Sequence, residues 1–224
     1  MSYNNYNQEL EIAKQIVVNQ IIERLGKTYK DYIENVKGFD KIPSFFRNHL
    51  YAPANKKERD KALEELYKKL KTIVGQDLVE NVYKLIQLVK LSDELDYEIA
   101  EELLKNHLKT IEYNKNTHLD FEIIEKIIHE KNQYEKRKKQ IDLICESLSF
   151  FFALSKLPLI KLVMAPIKVA ANLVGAEVLV DTMEEGYRIA KEIKDMKSFI
   201  KDFKGRELSY LDSIQKKFEQ INSN

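Results

Sequence analysis

The sequence predicts an all-α protein that folds as a single globular bundle of six to eight mostly antiparallel helices. Only 6 glycines and 4 prolines occur in 224 residues, which favours long uninterrupted helices. Apolar residues recur every three or four positions through most of the chain, as on helices with one buried face. No alternation of apolar and polar residues is long enough to predict a strand. We therefore expect residues 1–224 to form one domain, with 1–6 and 222–224 disordered.

In the first half of the chain, turn residues and capping residues mark the ends of the predicted helices. Gly38 suits a helix end, and Pro43 suits the first turn of the next helix. Asn55 followed by Glu58 is a capping pattern that predicts a further helix start. The last of these helices is apolar nearly all round in its first half, which is typical of a helix at the centre of a bundle. These helices are predicted over residues 7–36, 43–51, 55–74 and 77–111.

In the second half, Pro158 and Gly205 are expected to separate helices, and Pro166 to kink one of them. The most apolar stretch covers residues 143–180, but charged residues interrupt it, so no uncharged run reaches the ~20 residues of a membrane helix. We expect residues 141–180 to share the centre of the bundle with the helix over 77–111. The helices of this half are predicted over residues 119–156, 159–174, 176–203 and 206–221.

Charge and cysteine content exclude several classes of protein. The formal net charge is +1, so no overall field favours a polyanionic partner such as nucleic acid. The single Cys145 excludes an intrachain disulfide and a thiolate-rich zinc site, and it fits a cytoplasmic location. No Gly-x-Ser-x-Gly elbow, P-loop or dinucleotide fingerprint occurs. We therefore predict no catalytic residues, no metal site and no cofactor, and we lean towards a protein that is not an enzyme.

Arginine is rare, and this makes its positions informative. Only six of the 37 basic residues are arginine. In a chain that otherwise uses lysine, we expect arginine at positions where a planar guanidinium forms two hydrogen bonds to one acidic group. Arg59 precedes Asp60, and Arg206 precedes Glu207; neighbours on a helix do not face each other, so each should pair across helices. We favour an interhelix polar network and retain a pocket for an anionic ligand as the rival. The candidate residues for the network or the pocket are Arg59, Asp60, Asp93, Asp96, Gln140, Glu184, Arg206 and Glu207.

Two segments of the chain are rich in charged residues, and each is either a solvated helix face or a binding surface. Residues 93–102 hold six acids and no base, which favours a solvated face or a surface for basic side chains over a divalent-cation site. Residues 188–204 are predicted to form a basic amphipathic helix. A docked helix with a solvated lysine face is favoured, and weak contact with an anionic membrane is the alternative. The lysines of this face are Lys191, Lys194, Lys197, Lys201 and Lys204.

Aromatic residues cluster at two places, Phe45–Phe46 and Phe150–Phe152. Three consecutive phenylalanines on a helix point in three directions, so at least one must leave a narrow core stripe. That side chain could line an apolar cavity or a subunit interface, although packing inside a large bundle is the favoured interpretation.

Several short motifs occur along the chain: Phe45-Phe46-x-x-x-Leu50-Tyr51-x-Pro53, Arg59-Asp60, Leu91-Ser92-x-x-Leu95-Asp96, Arg137-x-x-Gln140-Ile141, Glu184-Glu185-Gly186-Tyr187 and Gly205-Arg206-Glu207. Over roughly residues 43 to 212, they resemble the motifs of a bacterial family of uncharacterised helical proteins. The resemblance implies no activity, because none is attached to the family. It marks Arg59, Asp60, Asp96, Gln140, Gly186, Arg206 and Glu207 as the positions to test first.

The leading functional hypothesis is a non-catalytic cytoplasmic protein that acts by binding a protein partner or itself. The acidic segment, the basic helix, the aromatic clusters and the missing catalytic signature motivate it. The alternative is a helical bundle, either a binding protein or an enzyme, with a pocket for an apolar or anionic small molecule. A third hypothesis is peripheral contact with an anionic membrane through residues 188–204.

Overall fold

A computed structural model describes residues 3–50, 56–73, 75–108, 112–157 and 160–222, and all regular structure in these ranges is helical. The prediction of an all-α fold is confirmed. The described residues form ten α-helices, more than the six to eight predicted. A 3₁₀ turn (Phe39–Lys41) and a π turn (Phe46–Leu50) flank the short helix α3. The helices are α1 (Tyr3–Thr28), α2 (Lys30–Asn35), α3 (Ile42–Phe45), α4 (Lys56–Ile73), α5 (Gln76–Asn106), α6 (Phe121–Glu130), α7 (Tyr134–Ser155), α8 (Ile160–Asn172), α9 (Glu177–Glu192) and α10 (Met196–Asn222).

The helix count is higher because two predicted helices are each divided in two, at Tyr29 and at Asn132, and a third break lies at a position other than the one predicted. The helix predicted over 119–156 is divided into α6 and α7 at Asn132, which has a left-handed backbone with φ 50. Asparagine adopts that conformation more readily than most residues. The break predicted at Gly205 lies instead at 193–195, where Ile193 is extended. Asp195 Oδ1 accepts a hydrogen bond from the Ser198 N–H at 3.0 Å and so caps the start of α10.

The ends of the chain and of some predicted helices also differ from expectation. α1 begins at Tyr3, inside the segment 1–6 for which the sequence predicts disorder, and α10 extends to Asn222. The helix predicted over 7–36 is divided between α1 and α2 at Tyr29. Residues 1–2, 51–55, 74, 109–111, 158–159 and 223–224 lie outside the described residues, and so do the predicted helix ends that fall on them.

The chain divides into two compact units. The first unit comprises Met1–Thr28, Leu91–Ile141 and Lys204–Asn224. Its core is built from apolar faces of α1, of the later part of α5 and of α6, with Ile16, Leu95, Ile99, Leu103 and Ile124 almost fully buried. Several polar side chains are buried with them. Burial of a polar group costs free energy unless the group is hydrogen-bonded or forms an ion pair.

The second unit comprises Tyr29–Lys90 and Asp142–Phe203. The rings of Tyr29, Phe39 and Phe199 pack together, with the Phe39 and Phe199 centroids 4.4 Å apart at an edge-to-face angle of 70°. Gly38 has φ 92, and a Cβ placed on it would lie 3.0 Å from Ile193 Cγ1, so both the backbone and the space favour glycine. The early part of α5 is buried on one face, at Val79, Val82, Leu85, Ile86 and Leu88, whereas Gln76, Asp77, Glu80 and Tyr83 are exposed, so the expected burial on nearly all sides is not found. The prediction that residues 1–224 form one domain stays a prediction.

The two glycines Gly205 and Gly38 should respond in opposite ways to a methyl group. Gly205 is exposed inside α10, and a Cβ there would meet no atom within 4 Å. We expect Gly205→Ala to raise the free energy of unfolding by about 0.5–1 kcal/mol, because glycine in a helix interior carries that conformational penalty. Gly38→Ala should lower it. Urea unfolding of both variants checks this, and a destabilising Gly205→Ala would contradict it.

Candidate functional sites

A cluster of polar side chains is buried in the first unit, on one face of α5 and beside the start of α7. Ser92 and Asp93 precede Asp96 on α5 by four and three residues, so each lies on the same side of the helix as Asp96. α1 contributes one lysine to them, and the start of α7 contributes an arginine and a glutamine. This polar cluster consists of Lys14, Ser92, Asp93, Asp96, Gln133, Arg137 and Gln140.

Lys14 and Asp93 form the first ion pair of the cluster. Lys14 Nζ lies 2.6 Å from Asp93 Oδ1, and the exposed fractions of the two side chains are 15% and 7%. The same ammonium group lies 4.4 Å from the centroid of the Tyr97 ring, so it also gains from the ring's negative face. An ion pair so little exposed is weakly screened by salt.

Asp96 is the most deeply buried charged residue of the cluster, with none of its surface exposed. Arg137 Nη2 lies 3.4 Å from Asp96 Oδ1, whereas Asp96 Oδ2 has no hydrogen-bond partner among the described residues. Burial raises the pKa of Asp96 to about 6; the charges of Arg137 and Lys14 lower it, and that of Asp93 raises it further. The pKa of this carboxyl group is therefore well above that of an exposed aspartate.

Arg137 holds the cluster together. Its guanidinium donates to Gln140 Oε1 at 3.0 Å and to Gln133 Oε1 at 3.2 Å, in addition to Asp96. Gln140 Nε2 in turn donates to Ser92 Oγ at 2.8 Å. Because these donors and acceptors satisfy one another, the cluster orients α5 against α7 within the first unit.

A second buried ion pair of the first unit joins Arg24 to Glu207. Arg24 Nη1 and Nη2 donate to Glu207 Oε1 and Oε2 at 3.0 and 2.6 Å, a two-pronged geometry that is among the strongest for an ion pair. The guanidinium also lies 4.4 Å from the centroid of the Tyr210 ring. Burial is the main reason that the pKa of Tyr210 is raised, so its hydroxyl stays protonated and donates to Glu125 Oε1 at 3.0 Å.

The remaining predicted site residues belong to both units. Arg206 donates from Nη1 to the Thr28 carbonyl oxygen at 2.8 Å. In the second unit, Glu184 pairs with Lys168 at 2.5 Å, and Asp60 is half-buried on α4. The side chain of Arg59 lies outside the described residues. Within the first unit the structure thus brings together Asp93, Asp96 and Gln140, whereas the described partners of Arg206 and Glu207 are Thr28 and Arg24.

Four members of the polar cluster were not among the predicted site residues: Lys14, Ser92, Gln133 and Arg137. A signal for Arg137 is present in the sequence, since it is one of the six arginines and lies three residues before Gln140. Nothing local marks Lys14 or Gln133, because both are ordinary polar residues in helical surroundings. Gln133 is fully buried and donates to Glu98 Oε2 at 2.8 Å and to the Leu95 carbonyl at 3.2 Å.

The acidic segment 93–102 carries basic side chains along its more exposed side. Lys136 pairs with Glu94 at 2.7 Å and with Glu98 at 2.8 Å, and Lys131 pairs with Glu102 at 2.5 Å. These pairs lower the pKa of Glu102; they also contribute to a lowered pKa of Glu98, against the raising effect of its partial burial. Within the described part of the chain, no group of three or more metal-binding side chains is placed to hold an ion.

The basic segment 188–204 is not the continuous helix that the sequence predicts. α9 ends at Glu192 and α10 begins at Met196, so Lys191 and Lys197 belong to different helices. The backbone is extended at Ile193. The five lysines therefore do not lie on one face of a single helix, as the sequence predicts. All five lysines are exposed, and contact of this segment with an anionic membrane stays a prediction.

An apolar cavity lies in the second unit, with a volume of about 50 Å³ and an opening to solvent. α7 contributes one face to it, because Ile144, Ser147, Leu148 and Phe151 recur at helical spacing. Of the consecutive phenylalanines, Phe151 lines the cavity and is buried, and Phe152 is half-buried. The remaining lining residues are Ile42, Phe45, Phe46, Leu85, Leu88, Gly186, Ile189, Ala190, Ile193 and Met196.

Gly186 determines where the Phe151 ring lies. A Cβ on Gly186 would approach the Phe151 ring atoms Cε2 and Cζ to 3.1 Å, closer than ordinary packing allows. Glycine therefore lets the ring lie directly on α9 at the wall of the cavity. The resemblance noted above had marked this position, although spacing and composition gave no reason for it.

The corner between α8 and α9 exposes large apolar side chains. Val169, Leu173 and Val178 have 62%, 69% and 49% of their surfaces exposed. Val169 and Leu173 lie one turn apart on the same side of the chain, and Val178 follows after the turn at Gly175. This apolar corner is separate from the lining of the cavity.

Comparison with known proteins places the chain in a family without assigning it an activity. Among the described residues, no helix combines the length and the apolar character needed to cross a bilayer. No curated protein and no solved structure gives a significant match. A family model described as a domain of unknown function (DUF8198) matches residues 2–220, nearly the whole chain, and the protein therefore belongs to that family.

Proposed function

We propose that this protein is a non-catalytic cytoplasmic protein that acts by associating with itself or with another protein through the apolar corner of α8 and α9. The observation that carries the proposal is the exposure of Val169, Leu173 and Val178. Single exposed apolar residues are normal on protein surfaces, whereas grouped ones mark interaction sites.

The geometry of the corner suits a contact surface. Val169 lies on α8, and Leu173 follows one turn later, directly after the end of the helix, so the two side chains are spaced like anchors of a helical interface. Gly175, with φ 71, turns the chain sharply, so that the apolar start of α9 follows at once. Both helices are anchored by buried residues, Ile167 and Ala170 on α8 and Leu179 and Val180 on α9, so the corner is presented by rigid elements.

The polar residues of the chain support a role without catalysis. The buried acids and bases of the first unit are engaged with one another, as Lys14 is with Asp93 and Arg24 with Glu207. Such pairing is what a structural network needs, whereas a catalytic group needs access to a substrate. The single Cys145 is buried, which fits a reducing compartment.

The small size of the corner predicts weak association. Stable interfaces bury about 800 Å² on each partner, more than three side chains supply. We therefore expect a concentration-dependent equilibrium, with binding in the micromolar range or weaker.

The double variant Val169→Glu/Leu173→Glu should abolish the association, because it places two charges in the contact. Size-exclusion chromatography with light scattering over a range of protein concentrations measures self-association. A pull-down compared between wild type and variant measures association with another protein. Val36→Glu is the matched control, since Val36 is an exposed apolar residue outside the corner. The proposal would be refuted if the wild type stays monomeric at high concentration and if the wild type and the double variant capture the same proteins in the pull-down.

A further inference from the structure

We propose that the partner at the apolar corner is a second copy of this chain, related by a two-fold axis, with Lys168 of each copy paired with Asp181 of the other. The inference rests on the proposed function and names the partner at the same site. Charge complementarity between α8 and the start of α9 carries it, together with the way the two helices lie side by side.

α8 and α9 form an antiparallel helical hairpin within the second unit. They pack against each other on either side of the turn at Gly175. Lys168 lies seven residues before this glycine and Glu184 nine residues after it, and their side chains pair at 2.5 Å. Residues at similar distances from the turn therefore lie beside each other on the two helices, as in an αα-hairpin.

The two helices of the hairpin carry opposite charges near the corner. The sequence of α8 contains lysines and no acidic residue, whereas α9 begins with the acids Glu177 and Asp181. Both acids are exposed, and neither has a basic partner among the described residues. Asp181 lies one turn after Val178 and so flanks the apolar corner on α9. An approaching partner with a cation at this position would gain an ion pair beside the apolar contact.

A second copy of the chain supplies that cation. When two hairpins meet about a two-fold axis that runs along them, α8 of one copy lies over α9 of the other, and every contact is made twice. Lys168 and Asp181 lie seven and six residues from Gly175, which brings them to the same level in such a pair. The Lys168 side chain is 48% exposed, and its three donor hydrogens can serve a second carboxylate in addition to Glu184.

The apolar side chains of the corner fit the same arrangement. Leu173 lies two residues before Gly175 and Val178 three residues after it. In the two-fold pair, Leu173 of each copy therefore lies against Val178 of the other. The contact uses both helices of both copies, yet the apolar surface remains below that of a stable dimer, so the pair is weak and its charges affect its Kd.

Other ways of pairing two copies are disfavoured by charge. Packing α8 on α8 brings lysines together, and packing the start of α9 on its counterpart brings acids together. Like charges across a contact oppose association and thereby select the remaining arrangement, α8 on α9.

Charge reversal at the two positions tests the pairing. Asp181→Lys places a lysine opposite Lys168, and Lys168→Glu places a glutamate opposite Asp181, so each variant replaces two attractive pairs with two repulsive ones. We expect the Kd of self-association, measured by sedimentation equilibrium at low salt, to rise about tenfold in each variant. An equimolar mixture of the two variants should associate like the wild type, because a mixed dimer contains two attractive pairs again.

Asp77→Lys is the matched control, since Asp77 is an exposed acid of the second unit on α5 and the change in net charge is the same. It should leave the Kd unchanged, and its mixture with Lys168→Glu should not restore association. Circular dichroism checks that each variant is folded. If Lys168→Glu does not fold, Lys168→Gln removes the charge without repelling Glu184 and should raise the Kd about threefold.

The outcomes separate this inference from the proposed function. Self-association that Val169→Glu/Leu173→Glu abolishes, but that neither charge reversal weakens, would overturn the pairing of α8 with α9. Failure of the mixture to associate would do the same. A monomeric wild type that captures another protein, which the double variant loses, would overturn the second copy as the partner while the proposed function stands. A wild type that does neither refutes both.

Discussion

Asp96→Ala should lower the free energy of unfolding near pH 7.5 by about 3 kcal/mol, because it leaves the buried guanidinium of Arg137 without a carboxylate. The side chains of Arg137 and Asp96 are 11% and 0% exposed, so water cannot replace the lost partner. The remaining bonds of Arg137 to Gln133 and Gln140 are to neutral groups and offset only part of the loss. Urea unfolding gives the difference directly.

The pH dependence of stability tests the state of the same carboxyl group. Burial raises the pKa of folded Asp96 to about 6, above its value in an unfolded chain. The folded state therefore binds the proton of Asp96 more tightly than the unfolded state does. The resulting contribution to the free energy of unfolding is fully present below about pH 4 and is lost as the pH rises through about 6. We expect the free energy of unfolding of wild type minus that of Asp96→Asn to fall by about 3 kcal/mol between about pH 4 and 8.

The test uses the difference in the free energy of unfolding between wild type and Asp96→Asn, because other carboxyl groups titrate in both proteins. Glu98 and Glu102 have lowered pKa values and lose their stabilising effect as the pH falls, and this background cancels in the subtraction. Glu94→Gln is the control on the same helix: Glu94 is half-exposed, so its pairing with Lys136 should contribute below about 1 kcal/mol. A pH-independent difference for Asp96→Asn would contradict a raised pKa.

Glu207→Ala should also destabilise the protein by about 3 kcal/mol, since it breaks the two-pronged pair with Arg24. The side chain of Arg24 is 17% exposed and that of Glu207 is 8% exposed. In Glu207→Ala the guanidinium of Arg24 would therefore remain largely out of water, beside the Tyr210 ring. Thermal and urea unfolding at neutral pH measure the loss.

Arg206→Ala is the matched control for Glu207→Ala. Arg206 is the preceding residue on α10, is half-buried and donates to the Thr28 carbonyl, so its loss should cost about 1–2 kcal/mol, less than that of Glu207. A double-mutant cycle with Arg24→Ala isolates the pair, and we expect a coupling energy of about 1–3 kcal/mol. Additive effects of the two single variants would show that the pair itself contributes nothing.

The sequence predicted best those helices whose ends are marked locally. The helix predicted over 55–74 is α4 (Lys56–Ile73), and the one over 159–174 is α8 (Ile160–Asn172). A capping pattern and a proline mark these starts, and both act on the backbone next to them. The break at Asn132 was missed, because asparagine is compatible with a helix and adopts the left-handed conformation only occasionally.

The candidate sites were predicted less well, because they depend on contacts between distant residues. Asp93, Asp96 and Gln140 were predicted as candidates, and they do share one cluster, but Arg137 at its centre was not among them. The spacing of Phe150, Phe151 and Phe152 raised a cavity only as an alternative to core packing, and the structure places Phe151 in its wall.

The sequence by itself determined that the chain is helical, that its charges balance and that its apolar residues form buried faces, because these follow from composition and from spacings of three or four residues. The tertiary structure alone decided which polar residues meet: Lys14 and Asp93 are 79 residues apart, and Arg24 and Glu207 are 183 apart. Helical spacing is a local property of the backbone, whereas pairing and burial depend on how separate helices pack, and helix propensity does not encode that packing.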